Sequence, residues 1–234
     1  MKTLGTLEVY IGQQLARWKG GGSGARQLQR GFGFLVARRG HQVRRDDVIN
    51  IAGGRNGAGA RHVIYGIRGM LKLWGIEAAL TLQQLTITLQ RHPHWRTDTD
   101  QLELLVDQAQ ALSAAGRHAA ALTLLEEAEP LCGGDYLPIL DLTPEYGLEG
   151  ERAHWKVLQK KALQLQVRAC LVLPHPKRHD QALRVAGKAI AFDRDDPLSY
   201  ELAAKAAHRC GHEEYAHKFQ QVADDLRKHG YSGP

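Results

Sequence analysis

Residues 4–10 alternate apolar and polar positions in the manner of a half-buried strand, Gly12-Gln13 interrupts them, and residues 14–18 form a second short run. The pattern predicts a hairpin. Gly20-Gly21-Gly22-Ser23-Gly24 then breaks all regularity ahead of an amphipathic helix over 25–38. A short second helix is predicted around Asp46-Asp47, two acids placed where the positive end of a helix macrodipole favours them, and Gly53-Gly54-Arg55-Asn56-Gly57 ends it. A third helix follows over 60–74. Residues 78–82 and 85–89 alternate again around Gln83-Gln84, which predicts a closing hairpin.

Beyond this point the period changes. Arg91-His92-Pro93-His94-Trp95-Arg96 is a proline-broken basic joint, Asp98 or Thr99 is placed to cap the next helix, and the domain boundary is set near residue 96. Helices are predicted over 98–115, 117–130, 145–172, 178–192, 197–210 and 213–229. Ala111, Gly116 and Ala121 recur as Ala206, Gly211 and Ala216 with the same spacing. Small residues there let antiparallel helices approach, and the glycine supplies the turn, as in tetratricopeptide (TPR) hairpins. The two domains are thus 1–96 and 97–234. Tyr136, Trp155 and Tyr215 are read as core aromatics.

The third helix carries the most informative pattern. At about 100° per residue, Arg61, Tyr65, Arg68 and Lys72 fall at roughly 0°, 40°, 340° and 20°. Val63, Ile64, Ile67, Met70, Leu71 and Trp74 fill the opposite arc, broad enough to sit on a core. An ordinary solvated face mixes signs, whereas this stripe has no acid. Arginine pairs bidentately with guanine, lysine neutralises phosphate, and tyrosine donates to phosphate or touches a thymine methyl. The candidate DNA-contacting residues are therefore Arg61, His62, Tyr65, Arg68 and Lys72, with Arg55 ahead of the helix and Arg44 and Arg45 at the start of the second.

Charge sharpens this picture. Residues 1–96 hold 15 Lys/Arg against 4 Asp/Glu, and the remainder holds 16 against 21. A basic front joined to an acidic rear suits a polyanion-binding module tethered to a part that stays off the polyanion. The apolar fraction of 43% and charged fraction of 24% fit a folded chain. Cys132, Cys170 and Cys210 lie far apart without metal-ligand or disulfide spacing and are expected to be reduced core thiols. The histidines are scattered, so no metal and no cofactor is expected. The glycine run at 20–24 lacks the strand–helix–strand setting and acidic residue of a dinucleotide fingerprint, and is read as a loop. With no P-loop, nucleophile elbow or HExxH helix, an enzyme is not expected. No run of about 18 apolar residues and no signal peptide is read, which leaves a cytoplasmic chain without membrane contact as the expectation.

The order of strand pair, three helices and strand pair resembles the OmpR/PhoB-type winged helix, in the version that opens the Streptomyces antibiotic regulatory protein (SARP) family. Residues Phe34-Leu35-Val36-Ala37-Arg38-Arg39-Gly40-His41-Gln42-Val43-Arg44-Arg45-Asp46-Asp47-Val48 resemble its first helix and the start of its second, and Val63-Ile64-Tyr65-Gly66-Ile67-Arg68-Gly69-Met70-Leu71 its recognition helix. Gly66 and Gly69 depart from the family's pattern and weaken the helix by about 1 kcal/mol each relative to alanine. Further on, Gly134-Asp135-Tyr136-Leu137-Pro138, Glu151-Arg152 and Asp196-Pro197-Leu198 resemble the bacterial transcriptional activator domain, the TPR-like second half of that family.

The resemblance implies a fold that is mainly α with small β elements, an N-terminal winged helix-turn-helix followed by a C-terminal TPR-like all-helical domain. It also implies a transcription regulator that binds promoter double-stranded DNA, forms a homodimer, and uses its rear domain for self-association or contact with RNA polymerase. Two other readings stay open. One is a protein–protein adaptor whose winged helix has lost DNA binding. The other is a regulator answering to a small nucleotide such as a cyclic dinucleotide, for which Arg44 and Asp47 form an RxxD, although a helix start explains that spacing more simply.

Overall fold

Glycine and alanine positions govern how this chain turns and how closely its helices approach. The computed structural model describes residues 1–18, 22–53, 57–93, 95–140 and 148–230, with 57–61 described in backbone only. Contacts divide the chain into two compact units: Met1–Thr99 with Gly134–Trp155, and Asp100–Gly133 with Lys156–Pro234.

In the first unit the predicted opening strand is folded on itself. Gly5 takes a left-handed φ of 75°, so Lys2 and Glu8 pair with each other and extended pairing is confined to a hairpin of β1 (Tyr10–Ile11) and β2 (Gln14–Leu15). Leu7 and Val9 are buried as alternation required, and Leu4, which strict alternation would place on the opposite face, is buried as well, ahead of the turn at Gly5. Helix α1 (Ser23–Ala37) lays Phe32, Leu35 and Val36 into the core. Strand β3 (Gln42–Arg44) follows, then α2 (Arg45–Ile51) and α3 (Gly57–Leu73).

Glycines set the crossing of α1 and α3. A Cβ on Gly31 would stand 3.0 Å from Val63 Cγ1, and one on Gly66 would stand 2.6 Å from Leu28 Cδ2. Gly66 therefore has a packing reason, whereas a Cβ on Gly69 would meet nothing within 4 Å. After α3, Gly75 at φ 72° reverses the chain into a single 3-10 turn, Glu77–Ala79, and then β4 (Leu80–Leu82) and β5 (Thr86–Leu89). The sheet order is β3-β5-β4, antiparallel throughout, with Val43 opposite Ile87 and Leu82 opposite Ile87. The closing hairpin is as expected. Strand β3 is an addition, too short and with too few apolar positions to show a period of its own.

The segment Gly134–Trp155 belongs to this unit, although the boundary read at residue 96 assigned it to the rear. The reason lies in backbone pairing: Gly5 N–H donates to Asp135 O (2.9 Å), Leu137 N–H donates to Thr3 O (2.8 Å), and Leu4 bridges Tyr136. A Cβ on Gly134 would fall 2.3 Å from Gly5 Cα, so only glycine allows the approach. Arg152 then donates to the carbonyls of Tyr136, Leu137 and Leu140, and Glu151 pairs with Arg38, the residue that follows α1. The Glu151-Arg152 dipeptide is thereby explained by what it ties down. Asp98, buried at the head of the next helix, accepts from Thr3 N–H, Thr3 Oγ1, Leu4 N–H and Thr99 N–H.

The rear unit is built on α4 (Asp98–Ala114), α5 (His118–Ala128), α6 (Glu149–Val172), α7 (Pro176–Phe192), α8 (Pro197–Arg209) and α9 (Glu213–Lys228). Gly116 and Gly211 turn the first and last pairs at φ 73° and 77°. Each is followed by the same closing bond, Arg117 N–H to Leu112 O and His212 N–H to Ala207 O, which satisfies carbonyls at the helix end. Alanines dominate the core, with Ala109, Ala121, Ala182, Ala186, Ala203 and Ala206 buried around Leu122, Leu125, Leu163, Val167 and Val185. Ala111, however, is exposed and takes no part in this packing. Asp196 caps α8 by accepting from Ser199 N–H (2.8 Å) and is held by Lys160 and Gln164 of α6. Tyr136 is buried as read, but Trp155 is half-buried and Tyr215 is 60% exposed, because α9 packs through its other side.

Candidate nucleic-acid interface

Helix α3 separates its two sides as its periodicity required. Val63, Ile64, Ile67, Met70 and Leu71 are buried, and Trp74 is half-buried against Phe32 and Trp18. His62, Tyr65, Arg68 and Lys72 face out, Tyr65 at 63% exposure. The helix rests on a packed back, so its outward side chains are presented by rigid backbone. Arg55 and the side chain of Arg61 lie outside the described residues.

One acid joins the stripe from beyond the helix. The turn at Gly75 brings Glu77 back beside α3, and Arg68 Nε donates to Glu77 Oε1 at 2.8 Å. The pattern within α3 could not show this, since Glu77 follows Arg68 by nine residues and belongs to the next element. The signal was the glycine that reverses the chain between them.

Arg44, Arg45 and Tyr65 come together. They line a groove of about 910 Å³ with Ile49 and Ile64 on one side and Gln84, Leu85 and Thr86 of the closing hairpin on the other. Arg45 N–H donates to Leu85 O (2.9 Å), which ties the start of α2 to the hairpin. Arg44 is exposed, while Arg45 is half-buried with an Nε that is buried and has no hydrogen-bond partner among the described residues. Leu85 stands 74% exposed at the hairpin tip. Arg68 lines a neighbouring groove with Glu77, Leu80 and Leu82. His62 and Lys72 line neither. Arg44 and Asp47 also share a shallow cleft with Arg38 and His41.

Other chemistry is sparse. Among the described residues no three His, Cys, Asp or Glu side chains are grouped to hold a metal ion. The cysteines are free; Cys170 is buried, while Cys132 and Cys210 are half-buried rather than core. Burial pushes the Cys132 thiol up to about 12 and that of Cys170 to about 11, so both stay protonated and unreactive. Among the described residues, no helix is long and apolar enough to cross a membrane.

No family model matches the chain, and none of the curated proteins does. Among solved structures it is similar to Mycobacterium tuberculosis EmbR, determined in complex with a low-affinity phosphopeptide, at 16% sequence identity and a TM-score of 0.72. The match covers 100% of this chain and 61% of that one, so the present sequence spans about three-fifths of its neighbour's length. At that identity the likeness speaks for the fold alone: mainly helical with small strands, an N-terminal winged helix-turn-helix followed by a helical domain.

Proposed function

We propose that this chain is a non-catalytic transcription regulator that binds promoter DNA through α3 and uses its helical rear unit for self-association as a dimer or for contact with RNA polymerase. The carrying observation is the outward face of α3, where His62, Tyr65, Arg68 and Lys72 project from a helix whose opposite side is buried. An α-helix fits the major groove of B-DNA, and these side-chain types match base edges and phosphates. Arg61 continues the same stripe in the sequence.

Two further observations support the reading. The groove between α2, α3 and the hairpin carries Arg44 and Arg45 beside Asp46, and the exposed Arg44 is placed to meet a phosphate oxygen. The excess of 15 cations over 4 acids in residues 1–96 supplies long-range attraction to a polyanion. A regulator of this kind acts in the cytoplasm, on DNA, without a membrane.

Retention of genomic fragments by the purified chain, followed by their sequencing, tests the proposal. A recurrent short motif among the retained fragments, lost when Arg68→Ala and Lys72→Ala are combined, is the expected result. Fragments retained at random, or a double variant that selects the same motif as the parent, would overturn it.

A further inference from the structure

We infer that Glu77 is a positioning residue that sets the guanidinium of Arg68 for reading one base pair. This inference rests on the DNA-binding reading and deepens it.

The geometry is specific about which part of the arginine is used. Glu77 Oε1 accepts from Nε at 2.8 Å, the nitrogen nearest the aliphatic stem. Arg68 carries five N–H donors in a planar fork, so the bond at Nε leaves the terminal Nη groups for another acceptor. A bidentate pair with guanine O6 and N7 uses two parallel donors of that kind. Arg68 is 51% exposed at its side chain and Glu77 35%, so the fork is held at the surface and not buried by its partner.

The location of the acid also calls for a reason. Residues 1–96 contain four Asp or Glu. Glu8 is engaged by Lys2 and Tyr10 in the folded opening segment, and Asp46 and Asp47 lie in the first turn of α2. Glu77 alone among these four is bonded to the outward stripe of α3. A carboxylate there repels phosphate and lowers general affinity for DNA, so an ordinary surface ion pair, which stabilises by about 0–1 kcal/mol, is a poor return for it. Holding a long, flexible side chain in one orientation gives selectivity instead, because ordering that side chain is otherwise charged against the specific contact.

Three variants of the full chain, Glu77→Ala, Glu77→Gln and Arg68→Ala, with the double variant Arg68→Ala/Glu77→Ala, test this on the motif selected by wild type and on its single-base-pair substitutions. For Glu77→Ala, preference at one base pair should fall roughly tenfold while affinity for unrelated DNA stays level or rises, since a negative charge is removed. Glu77→Gln keeps a carbonyl oxygen for Nε and should retain most of the preference. Removing Glu77 in the Arg68→Ala background should change nothing at that base pair. A Glu77→Ala chain that keeps the wild-type preference at every position overturns the inference and leaves the DNA-binding reading intact. Loss of affinity spread evenly over all sequences also overturns it, because that is the mark of a merely structural role. Wild type that selects no sequence at all overturns both.

Discussion

Two glycines three residues apart on α3 behave oppositely. Gly69 has open space where a Cβ would go, so it only weakens the helix, and Gly69→Ala is expected to raise stability by about 1 kcal/mol in denaturant unfolding. Gly66 accommodates Leu28 of α1, so Gly66→Ala, which forces that side chain aside, is expected to lower stability by about 1 kcal/mol. Equal shifts of the same sign would contradict this packing. Asp98 is a stronger single point. It meets backbone and hydroxyl donors of Thr3 and Leu4 while buried, so Asp98→Ala strands them and should cost about 3 kcal/mol. At this scale the sequence was partly legible. Gly116 and Gly211 declared their turns through spacing alone, but Glu77, Arg152 and Tyr215 depend on which segments meet, and no local pattern carries that.

Elements were legible in proportion to their length and period. Helices α4, α5 and α7 to α9 fall close to their predicted bounds because each repeats its apolar positions over several turns and ends near a glycine, proline or aspartate; α6 begins at Glu149, and residues 145–147 of its predicted span lie outside the described residues. The short strands fared worse. β3 exists because Val43 pairs with Ile87, a tertiary event, and the opening strand is interrupted at Gly5. Between helices, Glu129 at the end of α5 ties the rear unit together by accepting from Arg184 and Lys188 of α7 and Gln166 of α6. The Arg184 hydrogen bond, aided by Lys188 and Gln166, holds its carboxyl at about 2, below the usual 4.5. A carboxylate with a lowered folded pKa contributes stability that is complete above about pH 4.5 and lost as pH falls toward 2. Thermal unfolding of the full chain is expected to show that decline, and Glu129→Gln should lower stability at neutral pH while flattening the response between those limits. An unchanged acid profile in the variant would assign the decline to other groups.

For the whole molecule, sequence reading reached the fold class and the order of its parts but cut the first unit too short. A linear boundary at residue 96 could not reveal that Gly134–Trp155 returns to Thr3, Leu4 and Gly5, because the pairing is carried by backbone and by the absence of a Cβ on Gly134. A fragment ending at residue 96 lacks both that segment and Asp98, and it is expected to unfold at lower denaturant than the full chain's first unit and to be cut rapidly by protease. A fragment as resistant as the full chain would show that the returning segment adds little.

The central claim is that cations on α3 meet phosphates and bases. Its most direct measurement is the salt dependence of binding to a selected promoter fragment, for wild type and for Arg68→Ala/Lys72→Ala. Wild type is expected to show a linear fall of log K with log salt, and the variant a slope smaller by roughly 0.9 for each phosphate contact removed. Identical slopes and affinities for the two proteins would contradict it.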